Sequence, residues 1–278
     1  MPKTVADLYG HENLPGFKVG LEFEVEQVED YVNFLKAFPD LHFEPDHSLR
    51  DNGMEFITPP VSIEEAVKTH KGLVSLVKFA QKEKAFSFRT STHVHVNFLD
   101  VNDDKVKQFI YLYSILEPYY FDFVSKDRQN NIFCVPLFST TQSRNYGKQL
   151  KELCLDGSSE GGTFRPQSWH KYAAFNILPL ARQGTIEFRH LEGTPDSAKV
   201  EQWLKMIKAL YDFNLLHVLD FSSLTALNIV KQRLHLLNLL YTPKHDALME
   251  SIALDIILAL NKPDVDKILE AILARGEI

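Results

Sequence analysis

The chain has 278 residues, of which 45% are hydrophobic and 24% charged, a composition that suits one globular domain or a core with an added lobe. A net charge of -7 argues against a nucleic-acid surface, which clustered Lys and Arg would build. Two cysteines are too few for a disulfide scaffold, no run nears the ~18 apolar residues of a membrane span, and residues 1–7 lack a signal-peptide pattern. The expectation is a cytoplasmic protein with neither nucleic-acid nor membrane partners.

Residues 17–28 read as a strand and 41–46 as a second, short one. Asp46-His47-Ser48-Leu49-Arg50-Asp51-Asn52-Gly53 is turn chemistry, and 53–58 is a strand closed by Pro59-Pro60. Ser62-Ile63-Glu64-Glu65 has the capping-box pattern. It opens a helix over 63–84 whose apolar stripe runs through Val67, Leu73, Leu76, Val77 and Ala80. A strand over 86–98 follows, then helices over 103–125 and 139–154. The Gly- and Ser-rich residues 156–163 read as a surface loop or as a flap over a site. Strands at 171–180 and 184–191 are separated by Pro179 and the Arg182-Gln183-Gly184 turn. Beyond them lie helices at about 197–218, 222–240, 244–260 and 263–275, with apolar periodicity and no chemical motif.

Four of the extended segments share one device. In a strand, successive side chains point to opposite faces. Glu22, Glu24 and Glu26 therefore share a face opposite Leu21, Phe23 and Val25. Glu55 alternates with Met54 and Phe56, His93, His95 and Asn97 with Val94 and Val96, and Glu187 and Arg189 with Ile186 and Phe188. A half-buried sheet also alternates, but it does not need a polar set made of acids and histidines. Three glutamates ~7 Å apart on a solvent face would be harmless, a reading that suits Glu26 at the strand end. In a cleft they would repel one another unless cations neutralised them. Two histidines at i, i+2 fit a surface strand or a metal or phosphate contact, and Arg189 beside Glu187 fits a sheet ion pair.

In chain order the segments read G-x-E-x-E, then G-x-E-φ-φ-x-P (φ apolar), then H-V-H, then T-I-E-F-R. This set resembles the carboxylate–amine ligases of the glutamine synthetase and glutamate–cysteine ligase superfamily, and most closely the amidoligase family, whose members are often encoded by phages or small gene clusters. The resemblance covers about residues 17–196 and rests on the order and number of short motifs. It implies an α+β fold with a curved, mostly antiparallel sheet forming an active-site funnel and helices on its outer face. Residues 1–196 would form the catalytic core, and 197–278 a helical C-terminal region packed on it.

The resemblance also implies cofactors and roles: ATP with two or more Mg²⁺ or Mn²⁺ ions. Glu24 and Glu55 match acids that hold the metal beside the substrate carboxylate. Glu22, His93 and Glu187 match ligands of a second metal that bridges the ATP phosphates. His95 matches a histidine close to the nucleotide phosphates, and Arg189 an arginine that neutralises charge on the transferred phosphoryl group or the acyl carboxylate. A further acid of glutamine synthetases has no clear counterpart, and Asp46 is the candidate substitute.

The activity so implied joins a small-molecule or peptide carboxylate to an amine or ammonia through an acyl phosphate. No P-loop and no G-x-G-x-x-G motif is present, so metals and cationic side chains would hold the nucleotide. Lys171, on the segment with Tyr172 and Asn176, ranks above Arg128 and Arg144 as a second cation for catalysis and nucleotide binding. Each could instead be a solvated surface cation. Rival readings are a phosphagen-type phosphotransferase of the same fold, a zinc hydrolase, and a non-catalytic virion or scaffold protein. Because relatives often assemble into rings, a homo-oligomer is a further expectation.

Overall fold

The pairing order of six short strands decides which polar side chains meet. The computed structural model describes residues 3–28, 36, 38–77, 82–129, 131–137 and 169–216. Strands β1 (Val19–Val25), β2 (His42–Pro45), β3 (Met54–Ile57), β4 (Thr92–Asn97), β5 (Phe175–Asn176) and β6 (Thr185–Phe188) form one sheet. Its order is β2-β3-β1-β4-β6-β5, and every neighbouring pair is antiparallel. The sheet is curved and unclosed, and the fold is α+β as expected. Two compact units divide the chain. One comprises Met1–Asn102, Tyr119–Val135 and Arg165–Ile207, and contains the whole sheet; the other comprises Asp103–Pro118, Pro136–Phe164 and Lys208–Ile278.

The helices are α1 (Val5–Tyr9), α2 (Ile63–Leu76), α3 (Lys82–Ala85), α4 (Asp103–Phe123), α5 (Lys126–Gln129), α6 (Pro179–Gln183) and α7 (Ser197–Leu216). Helix α2 begins at the capping box read from sequence: Ser62 Oγ accepts the Glu65 N–H, and the Glu65 carboxylate accepts the Ser62 N–H. Its Leu73 and Val74 pack with Phe23, Val25 and Phe56 on the apolar face of the sheet. On the same face Phe188 lies 5.9 Å from Tyr120 and 6.5 Å from Trp203, ring centre to ring centre. Each such buried ring contributes about 1.5–3 kcal/mol. That apolar layer fixes the opposite, polar face of the strands. In the second unit, Lys105 and Gln108 of α4 donate to the Asn214 carbonyl of α7 at 2.7 and 3.0 Å.

Several expected elements are shorter than their apolar pattern suggests. The strand expected over 86–98 begins only at Thr92. Before it, Thr90 donates through both its N–H and its Oγ to the Ser87 carbonyl, and Ser87 Oγ accepts from Arg89. Short hydroxyl side chains thus satisfy the backbone locally and compete with the sheet. Likewise the strand expected over 171–180 shrinks to β5, because Pro179 sits in the first turn of α6, where its missing N–H costs nothing. Gly184 ends α6 at φ 67°, and a Cβ there would meet Leu99 Cδ2 at 2.0 Å, so glycine is required where β6 starts. The expected helices at 139–154 and beyond 216, the 156–168 segment and Arg144 lie outside the described residues. No helix among the described residues is long and apolar enough to cross a membrane.

Candidate active site

The register stacks the polar side chains in rows. Glu24 stands opposite Glu55, which stands opposite Glu44. In the next row Glu22 stands opposite His93. In the third His95 stands opposite Glu187, and Glu187 opposite Asn176. Gly20 completes that row, so β1 adds no side chain beside His95.

Contacts then link the rows. His93 Nδ1 lies 3.1 Å from Glu22 Oε2 and 3.5 Å from Glu187 Oε1. His95 Nε2 lies 2.9 Å from Glu22 Oε1, and its Nδ1 is 3.0 Å from Thr185 Oγ1. Glu187 accepts from Asn176 Nδ2 at 2.7 Å and forms an ion pair with Arg189. Arg189 Nε donates to the Phe133 carbonyl at 3.2 Å. Glu24, His93 and Glu187 are buried, and Glu22, Glu55 and His95 are half-buried.

Three groups of side chains bring potential ligand atoms within 4.8 Å of one another: Glu24–Asp46–Glu55, Glu22–Glu55–His93 and Glu22–His95–Glu187. Glu55 belongs to two of them, as does Glu22. The donors are carboxylate oxygens with at most one imidazole per group. Such a set fits Mg²⁺ or Mn²⁺, and these groups hold no thiolate of the kind many structural zinc sites use. Electrostatics agrees with that fit. Burial, then the charges of Glu22, Glu24, Asp46 and Glu44, push the Glu55 carboxyl up to about 9. A cation among them would reverse that repulsion. Burial also acts to raise Glu22, but hydrogen bonds and charge from His93 and His95 outweigh it and hold this carboxyl below the ordinary range. Burial opposes protonation of His95, and Glu22 overcomes it, raising the imidazole.

All five expected metal ligands, Glu22, Glu24, Glu55, His93 and Glu187, together with His95, Arg189 and the substitute acid Asp46, meet on this face. Both histidines reach these acids: His93 Nδ1 contacts Glu22 and Glu187, and His95 also groups with Glu22 and Glu187, because strand register sets it directly opposite Glu187.

Three expected residues are placed otherwise. Lys171 is exposed, with Nζ 4.5 Å above the Tyr172 ring. Arg128 is buried, and its guanidinium donates to the backbone carbonyls of Arg189 (2.5 Å) and His190 (3.0 Å). It supports the chain that carries Arg189 instead of joining the carboxylates. Glu26, expected on a solvent face, is only 4% exposed. It accepts the Arg50 N–H at 2.9 Å and holds the 46–53 turn that presents Asp46. Sequence reasoning missed Ser91, which bonds both Glu24 and His93. Its only signal is parity, since 91, 93 and 95 alternate onto one face.

This arrangement of acids, histidines and one arginine has a counterpart among known families. Residues 4–211 match the family model described as "Putative amidoligase enzyme". The chain belongs to this amidoligase family. Membership suggests an enzyme of the ligase class that forms amide bonds from small-molecule substrates. No curated protein matches the chain.

Proposed function

We propose that this amidoligase is an ATP- and Mg²⁺- or Mn²⁺-dependent carboxylate–amine ligase working through an acyl phosphate. The observation that carries the reading is the chain of three ligand groups joined through Glu22 and Glu55. Bound cations would supply charge neutralisation between nucleotide phosphates and the substrate carboxylate. Glu24, Glu55 and Asp46 would hold one beside that carboxylate. Glu22 with His93, His95 and Glu187 would hold those facing the phosphates. The carboxylate oxygen attacks the γ-phosphorus and releases ADP; the amine then attacks the acyl carbon and displaces phosphate, giving up a proton.

Little covalent work falls to the protein in such chemistry, so its share is positioning and charge. Arg189 has its Nε fixed on the Phe133 carbonyl and one terminal nitrogen on Glu187. A planar guanidinium held this way is preorganised to stabilise charge that grows on the phosphoryl group. Lys171 would act as a rim cation for the nucleotide, since it is exposed.

Phosphate release from ATP, assayed with pools of carboxylic acids and amines, tests the reading. Release that requires both pools and Mg²⁺, with an amide found by mass spectrometry, is the expected result. ADP formation without phosphate release, with the phosphoryl group found on a guanidino acceptor, would favour a phosphotransferase, and ATP binding without turnover in any pool a non-catalytic protein.

A further inference from the structure

Ser91 lies one residue before β4 on the same face as His93 and is 2% exposed. Its N–H and its Oγ both donate to Glu24 Oε2, each at 2.7 Å, and Oγ is also 2.7 Å from His93 Nε2. A hydroxyl has one proton to give. A carboxylate oxygen that already accepts an amide N–H is an acceptor, so the serine proton goes to Glu24. The His93 contact must then run the other way, with Nε2–H donating to Oγ.

We infer that Ser91 is a positioning residue that, with a cation bound, holds His93 in its Nε2–H tautomer and leaves the Nδ1 lone pair, 3.1 Å from Glu22 Oε2, for a cation held with Glu22 and Glu55. The same hydroxyl holds Glu24 by one oxygen and leaves the other for metal. One side chain thereby orients a ligand of the Glu24–Asp46–Glu55 group and a ligand of the Glu22–Glu55–His93 group. Outer partners of this kind fix ring orientation and ligand basicity. Thr185 gives a contrast: its Oγ1 reaches His95 Nδ1 at 3.0 Å, but its own acceptor, Gln183 Oε1, lies at 3.5 Å, so its proton is not committed.

The inference rests on the cation-binding reading of this face, and the experiment separates the two. Mn²⁺ affinity is measured by calorimetry without nucleotide for wild type, Ser91→Ala and Ser91→Thr, alongside ¹⁵N spectra of the His93 ring in the Mg²⁺-loaded wild type. Expected are a weakening of Mn²⁺ binding by about 10–100-fold in Ser91→Ala, recovery in Ser91→Thr, and the ring proton on Nε2. Undiminished Mn²⁺ affinity in Ser91→Ala, or a ring proton on Nδ1, overturns the inference and leaves the cation reading standing. A wild type that takes up no Mn²⁺ overturns the cation reading itself. The ring spectra need no variant, so the test survives a failure of either substitution to fold.

Discussion

At one end of the polar face Glu187 accepts from Asn176 and pairs with Arg189, while at the other Glu55 faces Glu24, Asp46 and Glu44. The first end carries its own counter-charge and amide donor. The second gathers acids, with Glu55 pushed up to about 9 by burial and by its neighbours. The difference teaches that Glu187 is balanced by a guanidinium of the protein itself, whereas the acids around Glu55 repel one another and would be balanced by the cation proposed above. Beneath the first end lies a further investment, the buried Arg128 that binds the carbonyls of residues 189 and 190.

The largest expected effect is therefore on Arg128. Truncation to Ala removes two charge-assisted hydrogen bonds and opens a cavity, and should lower stability by about 4 kcal/mol in a denaturant titration. Arg128→Met keeps most of the volume and should lose about 3 kcal/mol through the two orphaned carbonyls. A loss below about 1 kcal/mol would mean that the Glu187 end does not depend on this support.

A position on the apolar face gives a comparison with neither end. His70 of α2 donates from Nε2 to the Thr194 carbonyl at 3.0 Å and accepts from Ser197 Oγ at 2.7 Å, so both nitrogens are served in the neutral ring. Burial lowers it from 6.5 to about 4, against smaller opposing effects of Thr194 and Asp196. With the folded pKa depressed, the neutral fold is fully favoured above pH 6.5. Between 6.5 and about 4 only the unfolded chain takes up the proton, so stability falls through that window and levels off below it. The loss is about 3 kcal/mol. It should be read as the difference in pH dependence between wild type and His70→Gln, and equal slopes would mean that His70 takes up its proton as readily in the fold as in the unfolded chain.

Third in size is Arg189, which tests whether the self-balanced end does chemistry. Arg189→Lys keeps the charge and loses the planar fork, so turnover should fall about 10²-fold, with ATP affinity little changed. Normal turnover in Arg189→Ala, with a substrate pair the wild type uses, would reduce it to the ion-pair partner of Glu187.

Much of this face was legible in the sequence, because period-2 alternation sorts side chains by face without knowledge of strand order. The segments around Glu22, Glu55, His93 and Glu187 all form strands that present those residues to one side. Strand register was not legible. That His95 stands directly opposite Glu187 depends on pairing between β4 and β6, which no local pattern encodes. The burial of Arg128, a candidate second cation by sequence, was not legible either, because its acceptors are backbone carbonyls that any sequence supplies. Glu26 looked solvent-facing because it ends a strand, yet the 46–53 turn folds back onto it.

The smallest effect separates the two ends most directly. Without metal, Glu55 has a folded pKa of about 9 against an ordinary 4.5. A raised carboxyl favours folding below the unfolded value and works against it as pH climbs from 4.5 toward 9. In EDTA at pH 7–8, Glu55→Gln should therefore stabilise the protein, by about 1–2 kcal/mol after allowing for solvent screening of this half-buried group. Glu187→Gln in the same buffer should destabilise by about 1–2 kcal/mol, because Arg189 loses its counter-charge inside the sheet. Saturating Mn²⁺ should reverse only the first result: it raises the wild type above Glu55→Gln, since the cation replaces the repulsion with ligation. Thermal melts of three proteins, with and without Mn²⁺, read all of this at once. Shifts of the same sign for both variants in EDTA would show that the two ends are electrostatically alike, and the division between a self-balanced end and an acid-rich end would fall.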